Sequence, residues 1–250
     1  MECACVRACA TRASDDLHFQ FGGKDSLREN LNTALTDLKT AILLDSSDAE
    51  THKWKGICLQ DMGSNDNALD SFDEAIRLAP IDSDAYHKRG GYYLLARDWV
   101  KADADFTHAI ELDPKLVKAL VARGIVRQQI GDSIGALADL DAAIRLDDTD
   151  TTAYITRSFI HLKTGDLEKA VADCTRAIDL SPIESQVQSA YVNRGCAYLK
   201  LDELSKALTD CSKAMADSNL KRNTRGPVDR SGWGPGPFCR ARGSVGGCVV

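Results

Sequence analysis

The sequence predicts an all-α fold, a solenoid of stacked antiparallel helix pairs. Three observations predict it. Ala41, Ala75, Ala109, Ala143 and Ala177 recur every 34 residues, and Ala214 follows 37 later. Pro80 and Pro114 keep the same interval, with Pro182 twice that distance further on. Small residues return at two more places in each period: Gly56, Gly90, Gly124, Ser158 and Gly195, then Ala68, Ala102, Ala136, Ala170 and Ala207. A unit of 34 residues cannot bury an apolar face alone, so it must stack on its neighbours.

The elements follow in order. Residues 1–14 read as a disordered N-terminal tail. Residues 15–48 place Ala34, Leu38, Ala41 and Ile42 on the face of a second helix, begun by a capping box at Ser26 and Glu29. Gly22-Gly23 interrupts the first helix expected around Leu17, so this segment is a degenerate repeat or an N-terminal cap. Five full units follow, 49–82, 83–116, 117–150, 151–184 and 188–221, with three extra residues placed in the connection around Ser185 to Val187.

Each unit divides into two helices. The break falls at Gly63-Ser64, Arg97-Asp98, Gly131-Asp132 and Gly165-Asp166, where glycine ends one helix and Ser or Asp can accept the first N–H groups of the next. A Pro or Asp near the end of each unit stops the second helix. Small residues at the eighth and twentieth positions let the two helices cross closely. Phe72, Phe106, Leu140, Cys174 and Cys211, at the twenty-fourth, fill the space behind them.

Charge and composition restrict the function. The chain has 250 residues, 31 Lys plus Arg against 37 Asp plus Glu, and a formal charge of −6. Residues 222–250 carry +4 and residues 1–14 carry +1, which leaves −11 on residues 15–221. So acidic a body is a poor match for phosphate backbones, and no nucleic-acid partner is expected. No apolar run approaches the ~18 residues of a membrane span, and Glu2 and Arg7 break any signal-peptide core. Together these features predict a cytoplasmic protein without a membrane partner. Of nine Cys, Cys58, Cys174, Cys196 and Cys211 lie inside helical patterns as small hydrophobes, while Cys3, Cys5 and Cys9 cluster without zinc spacing. No metal and no cofactor are expected.

At this point the residues resemble a known family. Tyr86, Gly90, Tyr93, Ala102, Phe106, Ala109 and Pro114 stand at the signature places of the tetratricopeptide repeat, and the likeness runs from 49 to 221. The resemblance implies a right-handed superhelix whose concave face is lined by the first helix of each unit. It also implies a non-catalytic module that binds protein or peptide.

A second pattern runs through the same units. Arg89, Arg123, Arg157 and Arg194 occupy the seventh position, and Asp105, Asp139, Asp173 and Asp210 the twenty-third. Unit 49–82 has Lys55 and Ser71 instead, losing both together. This co-occurrence predicts structural ion pairs; the rival reading is an arginine ladder offered to an acidic ligand.

In the family the second, fifth, ninth and twelfth positions point into the groove. Here they include Lys53, His87 and Lys118 as polar contacts. Val121, Ile125, Ile155, Phe159, Leu162, Val192, Cys196 and Leu199 make an apolar half toward the C-terminus. They are candidates for an amphipathic partner; the alternative is that they pack between neighbouring helices. Some family members hold the C-terminal carboxylates of chaperones in a Lys/Asn/Arg clamp. Lys53 and Lys118 match it, whereas Ile57 and Lys88 replace its Asn residues and Ala122 its Arg. A chaperone tail is therefore a secondary candidate.

Catalysis has no candidate constellation. The sequence lacks the metalloprotease, P-loop and nucleophile-elbow motifs, and its five His are scattered. The expected function is a non-catalytic scaffold or adaptor. The alternative is a fragment of a larger co-chaperone or multidomain enzyme. The last segment, 222–250, contains Gly232-Trp233-Gly234-Pro235-Gly236-Pro237-Phe238 and cannot hold a helix, so it reads as disordered. Three accounts of it stay open: a truncated C-terminus, a tail that binds elsewhere, or one that folds over the groove through Trp233 and Phe238.

Overall fold

The computed structural model describes residues 24–181 and 184–223, with side chains over 28–181 and 187–215. The expectations for 1–14, for the helix around Leu17, for the Cys3 cluster and for the segment beyond Asn223 lie outside the described residues.

Eleven helices make up the described chain. They are α1 (Lys24–Leu44), α2 (Ala49–Asp61), α3 (Asn65–Leu78), α4 (Ser83–Leu95), α5 (Trp99–Leu112) and α6 (Val117–Ile130). α7 (Ser133–Leu146), α8 (Thr151–Thr164), α9 (Leu167–Leu180), α10 (Glu184–Lys200) and α11 (Leu204–Asn223) complete the series. Each of α2, α4, α6, α8 and α10 packs on the helix that follows it, and each second helix packs on the next first helix. First helices also touch one another, whereas second helices do not. The first helices therefore line one side of the array and no element reaches beyond the next unit, which is a solenoid.

Close approach inside each pair comes from the glycines. A Cβ on Gly56 would lie 2.6 Å from Phe72, and one on Gly90 2.8 Å from Phe106. In unit 151–184 the sizes are exchanged, with a buried Ser158 at the eighth position and a buried Cys174 at the twenty-fourth. Burial pushes the Cys174 thiol up to about 11, so at neutral pH it is a small hydrophobe.

The turn between the paired helices needs one residue in the left-handed region. Gly63, Gly131 and Gly165 take it at φ 75°, 88° and 91°, but Arg97 and Asp202 take the same place at 60° and 62°. The next residue caps the second helix in only some units. Asp98 accepts from the Lys101 N–H and Asp132 from the Gly135 N–H, whereas Ser64 and Asp166 make no such bond. Ser64 accepts instead from the Asn67 amide, and Asp166 faces Lys169 and His161.

Two boundaries differ from expectation. α1 is described from Lys24, which puts Ser26 inside its first turn rather than ahead of it. The three extra residues near Ser185 lengthen α10 to 17 residues instead of forming a connection. Val187, at their end, is buried against Ala190 and Tyr191, and this contact favours continuing the helix.

Candidate functional site

Two sets of side chains stand out, one between the helices and one along the first-helix face. Between the helices, each of the four Arg residues forks onto its Asp. Arg89 Nε and Nη2 donate to Asp105 at 2.8 and 2.7 Å, and Arg157 does the same to Asp173 at 2.8 and 2.6 Å. Arg123 meets Asp139 and Arg194 meets Asp210 in the same way. All four carboxylates are buried. Planar bidentate pairing suits guanidinium, which unit 49–82 lacks with Lys55.

The third guanidinium nitrogen goes elsewhere, to a residue that sequence reasoning missed. Nη1 of Arg89 and of Arg157 reaches back to Asp73 and Asp141 of the preceding unit, both at 2.7 Å. Nη1 of Arg123 and of Arg194 reaches Thr107 and Thr175, at 3.1 and 3.0 Å. These four partners share the twenty-fifth position, so each Arg joins two units as well as two helices. Their 34-residue spacing was visible, but a series that alternates Asp with Thr does not look like one position. With Nε, Nη1 and Nη2 of each guanidinium engaged inside the array, the arginines form no ladder facing an acidic ligand.

The first-helix face divides into two halves. At the N-terminal half Lys53 is buried, and its ammonium contacts Glu50, Asp82 and Asp84 at 2.8, 2.9 and 3.1 Å. Burial opposes the charge, but these carboxylates hold its pKa above the ordinary lysine range. Lys53 is thus a structural cation, not an open contact for a ligand. His87 packs its ring toward Phe106, with Nδ1 3.7 Å from Asp84, too far for a hydrogen bond. Lys118 is exposed. With Lys53 engaged by three carboxylates, the chaperone-type clamp is not assembled.

The C-terminal half is apolar and more open. Val121 is a correction: it is buried at 5% exposure within a cluster containing Leu120 and Ile160, so it belongs to the core. Ile125, Ile155, Phe159, Leu162 and Cys196 are half-buried, while Val192 and Leu199 are 37% and 47% exposed. Lys163 Nζ stands 4.8 Å over the Phe159 ring. Asn193 donates to the Ser158 hydroxyl at 3.1 Å and fixes α10 against α8. A recess of about 430 Å³ lies between these helices, lined by Thr151, Thr152, Ile155 and Ser189.

Residues 151–184 and 188–216 match the family model of the tetratricopeptide repeat. The chain contains tetratricopeptide repeats. Among solved structures it is similar to YrrB, described as a TPR protein with an unusual peptide-binding site, at 22% identity and TM-score 0.58, covering 72% of this chain and 91% of that one. It is also similar to MamA from Desulfovibrio magneticus RS-1, at 22% identity and TM-score 0.61, over 71% and 97% of the two chains. With PilF of Pseudomonas aeruginosa the identity is 14% and the TM-score 0.69, over 88% and 90%. No curated protein sequence matches significantly. At these identities the likeness is one of fold. Among the described residues, no helix of this chain is long and apolar enough to cross a membrane.

Proposed function

We propose that this chain is a non-catalytic adaptor that captures a peptide or partner helix along its first helices, anchored in the apolar half formed by α8 and α10. One observation carries the reading: Phe159, Leu162, Val192 and Leu199 leave apolar surface open on the face where the recess beside Ile155 lies. Contiguous exposed apolar surface on a soluble helical array is the usual mark of an interaction site. The peptide-binding site described for YrrB, on a similar fold, is in keeping with it. The acidic surroundings of Lys53 argue against an acidic tail as the ligand and favour a partner held mainly by apolar anchors.

The test is partner capture by the full chain and by a Phe159→Asp variant, read by mass spectrometry. Phe159 is half-buried, so far-UV circular dichroism should be unchanged while the specific partner is lost. Equal capture by both chains would remove this face as the binding site.

A further inference from the structure

Every second helix in the array has a face that looks along the stack, built from its twenty-first, twenty-fifth and twenty-eighth positions. In the interior this face is covered. Ile144 and Ile178, at the twenty-eighth position, pack into the cluster that contains Tyr154, Ala190 and Tyr191 of the first helices. The twenty-fifth position accepts from the next unit's Arg in all four interior junctions between full units. In three of the four junctions the covering helix brings the same groups, Ala85, Tyr86 and Arg89, then Ala153, Tyr154 and Arg157, then Ala190, Tyr191 and Arg194; in unit 117–150 Leu120 stands in the place of the Tyr.

The last helix, α11, repeats this face with nothing on it among the described residues. Leu208 and Met215, at the twenty-first and twenty-eighth positions, are 69% and 58% exposed. Between them Ser212, at the twenty-fifth, donates its hydroxyl to the Leu208 carbonyl at 2.8 Å and keeps acceptor capacity on its oxygen. The face is neutral from Leu208 to Met215 apart from Asp210, whose carboxylate is taken by Arg194 inside the pair, and Lys213, which lies over the Tyr191 ring.

We infer that the α11 end face is a docking site for an amphipathic helix of another polypeptide, one presenting an Ala-Tyr pair and an Arg three residues beyond the Tyr. The occupant follows from continuity with the interior junctions, where the same face takes a helix of that chemistry. The Arg reaches Ser212 as Arg194 reaches Thr175, and the Ala-Tyr pair covers Leu208 and Met215. Two other occupants fit less well. The segment after Asn223 contains no Tyr, so it cannot offer the Ala-Tyr pair that the interior junctions use. A second copy would offer α11 itself, which has no Arg between Leu204 and Met215.

The probe is a fluorescein-labelled peptide with the sequence of α10, residues 184–200, titrated against the full chain and followed by anisotropy. Saturable binding is expected. Leu208→Lys in the chain should weaken it by about tenfold or more, because a charge then enters an apolar contact, and Arg194→Ala in the peptide should weaken it severalfold. Phe159→Asp in the chain should leave it unchanged, which separates this face from the groove. Leu208 is exposed, so its variant keeps its circular dichroism. Absence of saturation, or equal binding by the Leu208→Lys chain, overturns the proposal. So does an unliganded chain that sediments as a dimer and becomes monomeric with Leu208→Lys, which gives the face to a second copy. A Trp233→Ser chain that binds about tenfold more tightly overturns it too, because the tail then occupies the face.

Discussion

Arg123 grips Asp139 through two parallel hydrogen bonds, Nε to Oδ2 at 2.8 Å and Nη2 to Oδ1 at 2.7 Å. Arg127 adds a third bond to the same carboxylate at 2.9 Å. The carboxylate is 6% exposed, so its charge is held by protein and not by water. Replacing it with alanine leaves two guanidinium groups facing a buried gap. Breaking a buried pair from one side costs about 3 to 5 kcal/mol. Asp139→Ala should therefore lower the melting temperature by about 6 to 20 °C for a domain of this size, read by calorimetry. Asp141→Ala, which removes a half-exposed partner of Arg157, should cost about 1 kcal/mol or less.

The fold was legible because the repeat multiplies a weak signal. One small residue at the eighth position says little, but four glycines and a serine in the same register say that two backbones approach there. The Arg–Asp register was legible through its joint failure in unit 49–82. Its reach into the preceding unit was not, since Asp and Thr can accept from the same nitrogen while looking unrelated in sequence. Lys53 shows the opposite limit. Its position places it on the groove face, but only the fold brings onto it Asp82, from the end of its own unit, and Asp84, from the next. Val121 was misplaced for a similar reason, because its burial depends on how far α6 turns toward its neighbours.

Gly90 and Gly91 are adjacent on α4 and should respond oppositely to alanine. A Cβ at Gly90 meets three ring atoms of Phe106 at 2.8 to 3.2 Å, and Phe106 is fully buried and cannot retreat. Overpacking of this kind costs about 1 to 3 kcal/mol. A Cβ at Gly91 meets nothing within 4 Å, so the helix gains the propensity difference of about 1 kcal/mol. Urea denaturation of the two variants should move the midpoint down for Gly90→Ala and up for Gly91→Ala.

Arg97 holds a backbone conformation that its counterparts assign to glycine. Its φ of 60° matches the turns at Gly63, Gly131 and Gly165, and its side chain is exposed. A left-handed non-glycine residue costs about 1 to 2 kcal/mol, and glycine returns part of that through a more flexible unfolded chain. Arg97→Gly should stabilise the protein by about 0.5 to 1 kcal/mol. The rise in melting temperature should persist in 0.5 M salt, because the gain comes from backbone geometry and not from a lost charge.

Asp84 links the groove's polar half to acid stability. Burial alone would raise its carboxyl pKa, but the Lys53 ammonium at 3.1 Å and the charge of Lys88 hold it below the ordinary carboxylate range. A carboxyl depressed in the folded state stabilises the fold fully above its unfolded value near 4 and loses that contribution as pH falls toward the folded value. The wild type should therefore show a falling melting temperature below about pH 4, with part of the slope owed to this group. In Asp84→Asn that part is absent, so the curve should be lower at pH 6 and flatter below pH 4. Parallel curves for the two chains over that range would mean that Asp84 gains nothing from Lys53 in the folded state.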